Sequence, residues 1–258
     1  MKIKILSVCT IIILLSAVPI YAEEWKEHKG RHFVIYYQSA PIDFVEEVEK
    51  TAEQYYEEIT RDLGFTRYKG WTWDERAQIY IYDDSQSYVE EGRQAQWSHG
   101  SAQTKTKVIR TFPTAHGFFD STLPHELGHI IFREFVGFKA EIPLWFEEGI
   151  AMYQEKAKRF GAHNAVIDAR NNGYFIPLKE LSITQLTRNT DQKIVTLFYA
   201  ESASVVYYMI NELGKYRFVQ FCRKLSEGGP FEWALKSVYV RFKNYDDLNK
   251  AWLRYLDK

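Results

Sequence analysis

The segment STLPHELGHIIF, residues 121–132, places two histidines four positions apart in an otherwise apolar run. In an α-helix each residue turns by about 100°, so His125 and His129 lie only about 40° apart and project from one face. Glu126 lies about 100° from His125 and faces another direction. The pattern therefore predicts a helix that carries a histidine pair on one face and a carboxylate beside it.

The remainder of this helix is apolar on nearly every side, which predicts that it crosses the interior of the domain. Buried histidine and glutamate side chains are costly unless something satisfies them. A core histidine bonded to a backbone carbonyl is the ordinary alternative to a metal ligand, and the spacing alone does not separate the two.

Pro124 is tolerated in a first helical turn. The residues expected to cap the helix are Asp120, Ser121 or Thr122.

A second helix is predicted for IPLWFEEGIAMYQ, residues 142–154, which begins near Pro143. Glu148 falls on its apolar face, where a carboxylate needs a cation or several hydrogen-bond donors. Glu147 lies about 100° away and is predicted to face solvent or to support the ligands from outside. Two imidazoles and one carboxylate, with water in the fourth position, form a known catalytic zinc site. We therefore predict that one Zn²⁺ is bound by His125, His129 and Glu148.

These motifs carry a family resemblance. His125, Glu126 and His129, followed after eighteen residues by Glu148 within WFEEGIA, resemble the gluzincin metallopeptidases and especially their aminopeptidase branch. The whole chain after residue 22 is similar to the peptidase MA-like bacterial proteins. The resemblance implies an α+β, thermolysin-like catalytic domain with a small mixed N-terminal sheet and one helix, followed by a mainly helical half with the zinc-binding helices.

The same resemblance extends to YAESASVVYYM, residues 199–209. In the aminopeptidase branch the leading tyrosine of this segment lies beside the metal, which implies that Tyr199 is a second catalytic residue next to Glu126. The chain has 18 tyrosines, and packing is the ordinary role of such a residue. The sequence lacks a Gly-x-Met-Glu-Asn stretch, which captures the substrate amine in that branch, so aminopeptidase action is not implied.

The expected function is hydrolysis of peptide bonds by a zinc-activated water, with Glu126 as general base and Tyr199 stabilising the oxyanion. The expected substrate is a peptide or an unfolded protein. A non-catalytic zinc-containing binding or scaffold protein of the same fold is the main alternative, and a helix bundle without metal is another. The complete set of base and ligands argues against the binding protein, and a buried Glu148 beside two histidines argues against the bundle. Endo- versus exopeptidase action and oligomeric state stay open.

Along the chain, strands are predicted at 31–38 and 77–84 with a helix between them, and a polar edge strand at 101–112. That edge strand is a candidate to accept an extended peptide by strand addition.

The residues 23–120 form the sheet-rich part, 121–213 the zinc-site helices and 214–258 the helical tail. Gly128 is expected to allow close packing. From residue 121 onward the predicted helices lie at 121–136, 143–157, 160–170, 196–213, 215–225, 230–238 and 245–257. The histidines expected at the surface or in loops are His99, His116 and His163.

Residues 1–22 combine a basic start, an apolar stretch and a small final residue, which is typical of a secretory signal peptide cleaved after Ala22. An uncleaved membrane anchor is the alternative. Cleavage would leave Cys222 as the one cysteine, so no intrachain disulfide is expected. It would also leave 31 basic and 34 acidic residues, a net charge of −3, which favours neither nucleic acid nor an anionic membrane as partner. The protein is therefore predicted to be exported, to the periplasm or beyond the cell.

Overall fold

The structure is a computed structural model that describes residues 24–66, 70–71, 74–93, 100–187 and 189–258. The predicted signal peptide and His99 lie outside these residues.

A five-stranded mixed sheet occupies the N-terminal part and confirms the predicted α+β class. Its order is β1-β2-β3-β5-β4, with β2, β3 and β5 parallel and both outer pairs antiparallel. Alternate residues of β2 and β3, such as Ile35 and Ile79, are fully buried against the helices. The strands are β1 (Lys26–Lys29), β2 (Phe33–Tyr37), β3 (Ala77–Ile81), β4 (Ser101–Gln103) and β5 (Val108–Thr111).

Two helices accompany the sheet. Helix α1 (Ile42–Leu63) follows Pro41, buries a stripe spaced by three and four residues, and ends at Gly64 with a left-handed φ of 79°. Helix α2 (Ser85–Glu90) was not predicted. The side chain of Asp84 caps it by accepting a hydrogen bond from the Ser87 amide at 2.8 Å.

The prediction of one edge strand over 101–112 is wrong, because this segment is a hairpin. A short 3₁₀ turn at Thr104–Thr106 and a left-handed Lys107 (φ 54°) reverse the chain between β4 and β5. Strand β5 is consequently interior, between β3 and β4. Of this segment, only the three residues of β4 lie at an edge of the sheet, and β1 forms the other edge. The polar Thr and Lys residues that suggested an edge strand belong to the turn.

The C-terminal part is helical, as predicted, and no helix of the described residues is long and apolar enough to span a membrane. The predicted helix over 143–157 is too long: α4 ends at Gln154, Glu155 leaves the helical conformation with ψ 85°, and α5 begins one residue later. The helices are α3 (Leu123–Val136), α4 (Leu144–Gln154), α5 (Lys156–Asn171), α6 (Leu178–Leu181), α7 (Gln192–Tyr207), α8 (Lys215–Ser226), α9 (Phe231–Val238) and α10 (Tyr245–Leu256).

Helix α3 begins differently from the prediction. A π-helical turn at Phe118–Thr122 leads into it, and none of the three predicted capping side chains caps the helix. Pro124 lies in the first turn, where its missing N–H costs nothing. The helix is buried between α1, α4 and α8, as its apolar sequence predicted.

Two glycines allow the helices of this half to pack closely. A Cβ at Gly128 of α3 would lie 3.1 Å from the Cα of Ala151 in α4, which confirms the packing role expected for Gly128. A Cβ at Gly149 of α4 would lie 2.5 Å from the carbonyl oxygen of Ser202 in α7, well inside van der Waals contact. Glycine at these two positions therefore sets how near α4 lies to its two neighbours.

Candidate metal centre

The structure brings His125 and His129 of α3 together with Glu148 of α4. The two Nε2 atoms are 3.2 Å apart, and Glu148 Oε2 lies 3.5 Å from Nε2 of His125 and 3.7 Å from Nε2 of His129. In the described part of the chain these three residues form the one group of His, Cys, Asp or Glu side chains that could hold a metal ion. Their side chains are only 13–19% exposed.

The donor set fits zinc. Ligand atoms held about 2.0–2.1 Å from a tetrahedral zinc are separated by about 3.3–3.4 Å, close to the three separations found here. Two imidazole nitrogens and one carboxylate oxygen are also the ligand types of catalytic zinc sites, which keep the fourth position for water. The group could therefore bind zinc with little rearrangement of its side chains.

Sequence reasoning missed Glu155, which lies behind His125. Its Oε1 accepts a hydrogen bond from His125 Nδ1 at 2.9 Å, its other oxygen accepts one from the Ser121 hydroxyl, and its side chain is 3% exposed. The contact fixes Nδ1 as the protonated nitrogen and leaves Nε2 to face Glu148, which is how carboxylates orient metal-bound histidines. A signal was present, because Glu155 follows Glu148 by seven residues, about two helical turns.

Glu147 takes a supporting position beside the ligands. Arg133 of α3 donates from Nε to its Oε1 at 2.7 Å and makes a second bond from Nη2 to its Oε2. Oε1 also lies 3.9 Å from His129 Nδ1. The ion pair ties α3 to α4 beside His129, and Glu147 does not join the three converging donors.

His125 and Glu148 stabilise each other's charged forms. Burial opposes charge on His125, but its contacts with Glu148 and Glu155 outweigh burial and raise the pKa of this histidine to about 9. Burial also disfavours charge on Glu148, yet the two histidines outweigh it and lower the pKa of this carboxyl to about 2. A metal ion held by His125, His129 and Glu148 would take the place of the second proton on His125 as the positive charge facing Glu148.

Glu126 and Tyr199 line the same cavity as His125, with a volume of about 600 Å³. Burial, followed by the charges of Glu148, Glu126 and Glu155, raises the pKa of Tyr199 to about 12, so its hydroxyl keeps its proton near neutral pH. Burial raises the pKa of Glu126 above its ordinary value. The cavity thus presents a carboxylate of increased basicity and a protonated phenol beside His125.

The other described histidines stand apart from this group. His116 is exposed in the loop before α3, as expected. The expectation of a surface or loop position is wrong for His163, which is half-buried on α5. Its Nδ1 is 2.7 Å from the Ser204 hydroxyl and its Nε2 is 3.2 Å from the Tyr255 hydroxyl. His163 therefore joins α5, α7 and α10.

Comparison with known proteins gives one family match and two similar solved structures. The family model described as the Peptidase MA superfamily matches residues 64–258. The structure of native yeast LTA4 hydrolase is similar to this chain with a TM-score of 0.52 and 15% identity, covering 87% of this chain and 38% of that one. Yeast LTA4 hydrolase in complex with bestatin gives a TM-score of 0.51 and 17% identity over the same shares. At such identities the likeness concerns the fold.

The chain spans well under half the length of the yeast protein, 38% of it. The comparison with curated proteins finds no significant match.

Proposed function

Because the chain belongs to the Peptidase MA superfamily, we propose that it is a zinc metallopeptidase with one zinc ion held by His125, His129 and Glu148. One observation carries the proposal. Three donor atoms of the right types converge within 3.2–3.7 Å of one another. Glu155 orients His125 through a hydrogen bond to Nδ1, and the Arg133–Glu147 ion pair joins α3 to α4 beside His129. These contacts hold the donor side chains in place without a ligand.

In the proposed reaction Glu126 is the general base. Its carboxylate accepts a proton from the attacking water and then delivers that proton to the leaving amine of the cleaved peptide bond. Burial raises the pKa of Glu126, which suits a group that must both take and return a proton near neutral pH. Bound zinc would supply Lewis acidity to the site and lower the pKa of a coordinated water to about 7.

Tyr199 is proposed to donate a hydrogen bond to the oxyanion that develops when water attacks the peptide carbonyl. The high pKa of this phenol, about 12, keeps the donor protonated. Loss of one such donor typically slows a reaction about 10²- to 10³-fold. Its position in the cavity that Glu126 and His125 also line supports this role.

The decisive experiment combines metal analysis with turnover. Purified protein is expected to hold about one zinc per chain by mass spectrometry and to hydrolyse a mixed peptide library, while Glu126→Gln keeps the zinc and loses about 10²–10⁴ in rate. Glu141→Gln, an exposed loop position, is the matched control. Absence of zinc after reconstitution would refute the proposal. Stoichiometric zinc without hydrolysis would favour the alternative, a zinc-containing binding or scaffold protein.

The proposal includes export, which the first 22 residues suggest. Expression of the full chain in a secreting host should give a mature protein that begins at residue 23, measured by intact mass. A protein that keeps these residues and partitions with the membrane would instead be anchored.

A further inference from the structure

A second cavity adjoins the one at the metal centre. It has a volume of about 960 Å³, and Ala165 of α5 and Thr196 of α7 line both cavities. Each volume is in the range of about 300–1,000 Å³ that holds a drug-sized ligand. The two cavities are therefore neighbours that share two small side chains at their junction, one on α5 and one on α7, and together they are called the cleft below.

The wall of the first cavity next to this junction consists of small residues. On α5 they are Gly161, Ala162 and Ala165, and on α7 they are Thr196 and Ala200. A Cβ at Gly161 would meet no atom within 4 Å. The wall shared with the second cavity therefore adds little side-chain bulk to the space beside Glu126 and Tyr199.

The second cavity combines apolar walls with acidic residues. Tyr174 and Ile194 line it although they are 49% and 45% exposed, a large apolar surface to leave in contact with water. Phe175, Ile176 and Leu197 add to these walls. Among the described residues that line it, the charged side chains are three carboxylates and one ammonium group: Asp168, Glu180, Asp191 and Lys193.

The segment 174–178, which carries part of the apolar wall, is held by hydrogen bonds to α5, α7 and α10. Glu201 of α7, which is fully buried, accepts a hydrogen bond from the amide of Ile176 at 2.9 Å. Tyr174 donates from its hydroxyl to Asp168 at 2.5 Å. The amide of Leu178 donates to Asn249 Oδ1 of α10 at 3.1 Å. A wall fixed at three points loses little conformational entropy when a ligand binds to it.

We propose that this second cavity is a substrate subsite, and that the cleft selects peptides with a bulky apolar side chain next to a lysine or arginine. The apolar side chain packs on the walls formed by Tyr174, Ile176 and Ile194, and the basic residue lies near Glu180 and Asp191. The inference rests on the proposed peptidase function, because it places the peptide relative to Glu126. It goes beyond that function by naming the substrate class and the residues that choose it.

The test measures binding separately from turnover. Fluorescein-labelled Ala-Ala-Phe-Lys-Ala-Ala is titrated with the full-length Glu126→Gln protein and followed by fluorescence anisotropy, beside peptides in which Phe is replaced by Ala or Lys by Glu. We expect each replacement to weaken binding by about tenfold, the first through lost apolar burial and the second through charge. The charge effect should shrink at high salt.

Variants of the cleft are then introduced into the same protein. Ala165→Leu and Thr196→Leu narrow the junction from opposite helices and should each weaken the parent peptide about tenfold. Asn164→Leu, an exposed neighbour on α5 that lines neither cavity, is the control. Glu180→Lys leaves two acidic and two basic side chains in the second cavity and should remove the preference for the lysine peptide over the glutamate peptide, whereas Glu46→Lys, at an exposed position of α1, should leave the preference unchanged. Circular dichroism verifies that each variant is folded.

The outcomes separate this inference from the proposed function. Equal binding of all three peptides, or equal effects of Ala165→Leu and Asn164→Leu, would overturn the subsite even if the wild type hydrolyses peptides. A second outcome is that the peptides bind with the predicted preferences but the zinc-loaded wild type hydrolyses none of them. This outcome would support the subsite and contradict the proposed peptidase function. Peptide hydrolysis that follows the same preferences, with the same response to Glu180→Lys, would support both.

Discussion

Glu201 is a buried carboxyl whose charge the fold does not compensate, and its replacement by glutamine should change how stability depends on pH. Its Oε1 accepts one backbone hydrogen bond, and its Oε2 has no hydrogen-bond partner among the described residues. Burial raises the pKa of this carboxyl to about 8 from an ordinary value of 4.5. Below about pH 4.5 the group is protonated in both folded and unfolded chains. As the pH rises towards 8, only the unfolded chain gives up the proton.

The stability that the raised pKa contributes is therefore lost as the pH rises from about 4.5 through 8. The slope in this window is about −1.4 kcal/mol per pH unit, which amounts to about 3 kcal/mol between pH 5 and pH 8. Domains of this kind are stable by only about 5–15 kcal/mol, so the effect is large. Glu201→Gln keeps an acceptor for the Ile176 amide and removes the titration.

The assay is urea unfolding, followed by tryptophan fluorescence, at pH 5, 6, 7 and 8. At each pH the free energy of unfolding of the wild type is subtracted from that of the variant, because the subtraction cancels every other titrating group. We expect this difference to rise by about 3 kcal/mol from pH 5 to pH 8. Glu46→Gln on the exposed face of α1 should give a flat difference. A flat difference for Glu201→Gln as well would refute the claim that Glu201 is protonated in the folded protein.

Three further outcomes are expected. Glu155→Gln should weaken zinc binding by about 10- to 100-fold in a competition titration with a chelator, whereas Glu141→Gln should not, and equal affinities would remove Glu155 from the centre. Gly149→Ala should lower the free energy of unfolding by about 2 kcal/mol because the new methyl group overlaps the Ser202 carbonyl, whereas Gly161→Ala, with open space, should not destabilise. Burial lowers the pKa of His163, so its contribution to stability should be lost as the pH falls below about 6.5, and thermal melts of His163→Gln should show a weaker decline towards pH 5 than the wild type.

The helical half and the grouping of His125, His129 and Glu148 could be predicted because their signals are local. The 3.6-residue periodicity places His125 and His129 on one face, and the same geometry turns Glu148 towards the interior. Pro143 marked the start of α4 correctly. These features depend on residues within one or two helical turns of each other.

The features that sequence reasoning missed depend on contacts with another segment of the chain. The polar strand β1 pairs with β2 although nothing in its four residues predicts a strand. Glu155 continues the helical spacing of α4, yet the chain leaves the helix at that residue, where its carboxylate bonds to His125 and Ser121. The second cavity requires the relative positions of α5, α7 and the segment between them, and no single stretch of sequence contains that information.

The close approach of α3 and α4 at Gly128 and Ala151 has a consequence for how the centre forms. All three donors, the base and the orienting carboxylate come from two short segments, 125–129 and 148–155, on helices adjacent in sequence. Bringing them together closes only a short loop, and the entropy lost in such a closure is small. Assembly of the centre is therefore a local folding event. Docking of α3 against α4 is sufficient to bring the three donors together.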